Sequence, residues 1–537
     1  MSKWPVLAVL GAAQFLMVLD QAVMNVAISQ LVHDFETTVT TIQAVIALYA
    51  LVMAGLMLTG GKLGDLLGRR RAFAIGLCIY GAGSALTAAS WNVASLTFGW
   101  SILEGIGAAL VLPAMVALVA ANFQGQERAV AYGVLGGIAG AGIAVGPILG
   151  GWATTELSWR VVFAGEVVVA LGIFAGLRLL EDEKSTGPRP SLDWVGSVLS
   201  ALGLGLIVFG VLQASNWGWI HPRNSPLEPF GFSLTPFAIA AGGLVLAGFA
   251  WWERRREARG EEPLVHLGLL ARPRMRGGLT TLVSQNLILM GVFFTVPLFL
   301  QVVQGLDALE TGVRMLPASA GLFAAALAGS ALAKRLPARL IVRVGLGIVF
   351  VAILLLLDTI EPQLDNASFL IAMGVFGIGI GLVVSQLGNV VQSSVGEAER
   401  SEAGGLQNTA AQIGSSLGTA FLGAVVITGL ISAFSANVQA NPRIEAPVKE
   451  QVAVHISAGT SFVPASEVKA GAEAAGVKPA TVDELVDDYE DAQLGALKTA
   501  FLFAAGLVLV ALLGTRNLPT RRFDELRPEA GPTGQMT

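Results

Sequence analysis

Three acidic residues, Asp20, Glu104 and Glu166, stand alone in stretches that are otherwise apolar. A carboxylate near the middle of a membrane span costs about 2.5 to 3.5 kcal/mol on insertion scales, so each should face a bundle interior or water. Withdrawal from water favours the neutral form of a carboxyl, the property that a proton carrier needs. The chemistry expected of these acids is therefore to take turns holding a proton or a cationic substrate in a cavity. Counted from the span ends at about 1.5 Å per residue, Asp20 and Glu166 fall in the outer half and Glu104 near the middle. Glu166 is close enough to the interface to snorkel. In the second half of the chain, Gln285, Asn286, Gln386, Asn389, Gln407 and Asn408 are candidate cavity contacts, though such groups more often serve as glue between helices.

The elements that must position these residues are membrane helices. The chain has 537 residues, 54% hydrophobic and 13% charged, with a mean hydropathy of +0.69; a soluble domain carries roughly 25% charged residues. Fourteen segments reach the roughly 20 apolar residues of a span. Six lie between residues 5 and 180, two between 192 and 252, and six between 277 and 515. The resulting expectation is an all-α integral membrane protein: a bundle of six helices over 1–180, a linker with two extra helices over 181–275, a second bundle over 276–515, and a tail over 516–537. With the N-terminus inside, about 25 of the 33 Lys and Arg residues fall on the cytoplasmic side, which puts both termini in the cytoplasm. Residues 431–494 form an acidic extracytoplasmic insertion. Within it, Thr481 and Glu484 have capping-box spacing, which predicts a helix leading into the last span.

Several function classes are excluded or unsupported. The single cysteine, Cys78, allows no internal disulfide framework. The four histidines are scattered without HxxxH or HExxH spacing, so no metal site is expected. Charge is dispersed with a net of -5, and no basic face for nucleic acid stands out. The nearest approach to a nucleotide-binding loop, at Lys62, has Leu56 in place of its first glycine and Leu63 in place of Ser or Thr. Energy must come from an ion gradient or from the substrate's own, with no cofactor.

Two stretches carry motifs. GKLGDLLGRRR, from Gly61 to Arg71, reads as a tight polar turn in which Asp65 can accept hydrogen bonds or cap a helix and the arginines anchor the cytoplasmic end. GVLGGIAGAGIAVGPILGG, from Gly133 to Gly151, carries no charge. On a helix its Gly142, Gly146 and Gly150 share one bare face for close helix packing, and Pro147 adds a bend.

In combination these stretches resemble the major facilitator superfamily, specifically its 14-helix drug/proton antiporters. Gly61, Asp65, Gly68, Arg69 and Arg70 fall on the superfamily's loop signature. Gly133, Gly142, Gly146, Pro147, Gly150 and Gly151 fall on the antiporter signature of the fifth helix. LDQAVMNVAI at 19–28 is similar to the first-helix signature with its acid, Asp20, and SWRVVF at 158–163 is a weaker match. The resemblance implies two bundles that rock about a central cavity in the plasma membrane, exchanging protons for an exported small molecule. It also implies that the fifth helix lies where the bundles meet. Two departures stand out. The fourth-helix arginine is replaced by Ser101 and the following glutamine by Glu104, and Glu166 stands where the family often has Asn. The site has lost its base and gained two acids. The leading reading is a proton-coupled exporter of amphipathic compounds, cationic ones among them. A second keeps the fold and changes the cargo to a specific metabolite, natural product, siderophore or lipid. A third, a membrane enzyme or sensor, lacks any catalytic cluster or appended domain.

Overall fold

Long runs of Leu, Val, Ala and Gly satisfy their backbone internally only as helices once water is absent, and the computed structural model contains fourteen helices long and apolar enough to span a membrane. It describes residues 4–123, 125–180, 192–396, 399–459 and 462–522, and no strand occurs among them. The membrane helices are α1 (Trp4–Val26), α2 (Val39–Leu67), α3 (Arg69–Ala88), α4 (Val93–Val119), α5 (Gly137–Glu156), α6 (Trp159–Leu179), α7 (Trp194–Trp217), α8 (Leu234–Ala258), α9 (Pro273–Val303), α10 (Ala308–Leu332), α11 (Ala338–Asp358), α12 (Asn366–Ser393), α13 (Glu402–Ala440) and α14 (Pro479–Asn517). The charged break at 181–191 and the end of the tail, from 523, lie outside the described residues.

Helices α1–α6 form one bundle and α9–α14 the other. They meet along two seams, α5 against α10 and α2 against α13. In each seam the fifth helix of one half meets the second helix of the other, so the halves are related by exchange although their sequences show no clear repeat. Polar side chains fasten both seams. Gln43 donates to the carbonyls of Thr419 and Ala420 at 2.9 and 3.0 Å, and Ser416 to the carbonyl of Ala47 at 2.7 Å. In the other seam, Ser319 donates to the carbonyl of Ile143 at 3.0 Å, and the Leu309 amide to the Thr155 hydroxyl at 3.1 Å. Helix α7 lies against α2 and α13, and α8 packs on α7.

Two local expectations are corrected. Only Gly68, with φ 93°, breaks the chain between α2 and α3. Gly61 and Asp65 are therefore helical, and Asp65 caps nothing: its carboxylate pairs with Arg69 at 3.6 Å. In the insertion the predicted helix is present, but it starts at Pro479 with no side-chain cap. Proline's fixed φ suits the first helical turn, so Thr481 lies inside the helix, and Glu484 instead pairs with Arg443 at 2.6 Å.

Candidate functional site

Asp20, from α1, Glu104, from α4, and Glu166, from α6, meet inside the first bundle: one carboxyl oxygen of each lies within 4.8 Å of the others. All three are buried. The sequence put Glu166 within reach of water, but at 2% exposure it turns inward, where Tyr80 and Ser84 of α3 donate to its Oε2 at 2.9 and 3.0 Å. The hydroxyls offset the desolvation that snorkelling would have avoided.

Each acid has one oxygen held by neutral donors. The Trp100 indole N–H donates to Asp20 Oδ1 at 2.6 Å, and the Thr87 hydroxyl to Glu104 Oε1 at 2.9 Å. The other oxygens, Asp20 Oδ2, Glu104 Oε2 and Glu166 Oε1, have no hydrogen-bond partner. No Lys, Arg or His among the described residues pairs with any of the three. Ser101, where the resemblance leads one to expect arginine, donates to the carbonyl of Val45 at 2.8 Å and ties α4 to α2.

A wide π-helical turn at Thr97–Glu104 delivers Trp100, Ser101 and Glu104 to the interior. Such turns add a residue to the helix and recur at functional sites. Trp100 also stacks on Tyr49 of α2, with ring centroids 4.4 Å apart and planes 10° from parallel. Sequence reasoning missed Tyr49, Tyr80, Ser84, Thr87 and Trp100. The only signal was for Trp100, which lies four residues before Glu104 and so shares its helix face.

The glycine helix is divided between two partners. A side chain at Gly142 would meet Val18 at 2.9 Å, at Gly146 Ala22, and at Gly150 Val23 at 2.9 Å, all on α1. The bare face thus packs within the first half, against α1, the helix that carries Asp20. Gly151 and the Pro147 carbonyl instead abut Ala308 and Gly312 of α10, across the seam. Gly133 lies on the N-terminal extension of that helix, which runs from Gly125 to Glu156, and its packing is outside the described residues. In the second half, Gln386 donates to the carbonyl of Gly329 at 2.9 Å, and Asn286 to that of Leu282 at 3.0 Å. Gln285 is buried, Gln407 and Asn408 are half-buried and Asn389 is exposed. None of these six joins the carboxyl cluster.

Residues 10–419 match the sequence profile of the Major Facilitator Superfamily. The chain belongs to that superfamily. Its relatives include the puromycin resistance protein of Streptomyces alboniger, 34% identical over 82% of this chain and 85% of that one. The tetracenomycin C resistance and export protein of Streptomyces glaucescens is 28% identical over 99% and 95%. A bacterial homologue of the human lysosomal transporter Spinster, solved facing inward and unoccupied, shares the fold with a TM-score of 0.59, at 16% identity over 96% of this chain and 98% of its own. This major facilitator is thus a multi-pass membrane transporter whose relatives confer drug resistance. Its departures from the family pattern, Ser101, Glu104 and Glu166, all lie within the first bundle, and two of the three contribute carboxyls to the cluster.

Proposed function

We propose that the protein exports small drug-like or toxic compounds in exchange for protons by alternating access, with the three-carboxyl cluster as its proton-coupling site. The observation that carries this reading is the cluster's lack of a positive partner. Three carboxyls share a buried site whose donors among the described residues are all neutral, and bare carboxylates that close together in a low dielectric repel strongly. Such a group holds protons and releases them only when access or charge changes, which is what coupling requires. The basic clusters Arg69–Arg71, Arg254–Arg256 and Arg272–Arg276 support a plasma-membrane orientation with both termini in the cytoplasm. The Thr155–Leu309 contact then lies at the outer end of the seam and the Gly68 break at the inner end. Relatives named for drug resistance and export support the direction of transport. The acidic site favours amphipathic cations. The protein needs no cofactor and performs no covalent chemistry in this reading.

A second reading, export of one natural product, is favoured by relatives named for single antibiotics, puromycin and tetracenomycin C. Purified protein in vesicles, loaded with cationic dyes or with a panel of antibiotics, tests both. Proton exchange predicts transport that accelerates when a pH gradient is imposed and collapses with a protonophore. Equal rates with and without the gradient would remove the proton from the account, and movement of one compound alone would favour the second reading.

A further inference from the structure

We infer that the cluster of Asp20, Glu104 and Glu166 is also a binding site for a single hard metal cation of about the size of Ca²⁺, which competes with the protons. The inference rests on the reading of the cluster as a proton site and adds a second occupant to it. Three features of the cluster support this occupant. The first is geometry: ligand oxygens 2.3 to 2.6 Å from an ion stand at most about 5 Å apart across it, and the carboxyl oxygens lie within 4.8 Å of one another. A smaller ion such as Mg²⁺ gives up its water reluctantly, so a site buried this completely suits it less well.

The second is a fourth oxygen. The Tyr49 hydroxyl faces Asp20. It is 1% exposed and has no hydrogen-bond partner. A hydroxyl buried beside Asp20 can turn its proton to that carboxyl and still offer a lone pair to a cation. Stacking on Trp100 holds the ring in place.

The third is donor chemistry. Every candidate ligand is oxygen, with neither the imidazole nor the thiolate that favours zinc or copper. Charge sets the exchange. With one carboxyl protonated, a divalent ion and two carboxylates are neutral together, as are three protonated carboxyls. Binding one such ion therefore releases two protons, and affinity rises with pH.

The test uses the full-length protein in lipid nanodiscs, with Tb³⁺ as the probe, excited through the indole of Trp100, and Ca²⁺ binding followed by equilibrium dialysis. The expected result is a saturable Tb³⁺ signal that strengthens from pH 6 to pH 8 and is displaced by Ca²⁺ but not by K⁺. Glu104→Gln should weaken Ca²⁺ binding about tenfold or more, and Tyr49→Phe should weaken it severalfold. Circular dichroism checks that each variant is folded. The inference is overturned if the wild type binds no Ca²⁺, or if folded Glu104→Gln/Glu166→Gln protein binds it as the wild type does. Proton-driven efflux by the same variants reconstituted in sealed vesicles separates the two claims. Efflux that depends on the carboxyls without Ca²⁺ binding leaves the proton site standing and removes the metal. Ca²⁺ binding without carboxyl-dependent efflux does the reverse.

Discussion

Asp20, Glu104 and Glu166 come from helices whose acids are separated by 84 and 62 positions in the chain, so no spacing rule could have joined them. Their apolar surroundings were legible in the sequence, because a lone carboxyl in a long hydrophobic run stands out. Their shared cavity was an expectation from their chemistry, but their direct meeting was not legible, because helix neighbours are set by tertiary packing. The hydroxyl donors were hidden for a different reason: Tyr, Ser and Thr are ordinary in membrane helices, and only their distances reveal them. Trp100→Phe should leave Asp20 Oδ1 without its donor and cost about 1 to 3 kcal/mol, read as a lower unfolding midpoint in detergent. At the end of the bundle beyond α1, the Asp34 carboxyl accepts from Trp159 at 2.8 Å, Gln30 at 2.6 Å and Arg160 at 3.1 Å. Burial alone would raise it, but the hydrogen bonds from Trp159, Gln30 and Arg160 outweigh burial, and Asp34 ionises below its ordinary value of 3.8. A lowered folded value means a contribution to stability that is present above the ordinary value and lost as pH falls through the folded one. Melting curves from about pH 5 down to about pH 3 should therefore fall more steeply for the wild type than for Asp34→Asn; parallel curves would show that these hydrogen bonds do not favour the ionised form.

At the scale of the helix, hydropathy located all fourteen spans, because membrane thickness sets their length. It misplaced their ends where helices run on past the apolar stretch, as α13 and α14 do into the acidic insertion. The π-helical turn at Thr97–Glu104 had no sequence signal, since one extra residue in a uniformly apolar helix changes no pattern. The glycine face was legible as a packing surface, but its partner was not. It packs on α1, while the contact across the seam falls to Gly151 and Pro147. The two kinds of contact should respond differently to bulk. Gly146→Leu forces a side chain into Ala22 and should cost about 1 to 3 kcal/mol through overpacking, lowering the unfolding midpoint and transport together. Gly151→Leu presses on Ala308 across the seam. Its midpoint should change less, while transport falls, because it disturbs the meeting of two halves rather than the packing of one.

The whole molecule is two bundles joined along α5–α10 and α2–α13, with the α7–α8 pair beside the second seam. The exchange of second and fifth helices between halves was beyond the sequence, which retains no strong repeat; packing faces can persist while residue identities drift. If transport requires the halves to part where Leu309 meets Thr155, a disulfide there should stop it. Thr155→Cys with Leu309→Cys, in a background where Cys78, the chain's only cysteine, is serine, should transport when reduced and stall when oxidised. Undiminished transport by fully cross-linked protein would mean that this contact stays closed throughout the cycle. The central claim, that the buried carboxyls couple protons to export, is tested most directly by dye efflux from vesicles under an imposed pH gradient, comparing the wild type with Asp20→Asn/Glu104→Gln. The account predicts that the gradient accelerates efflux by the wild type and has no effect on the folded double variant. Gradient-driven efflux by that variant at the wild-type rate would contradict it.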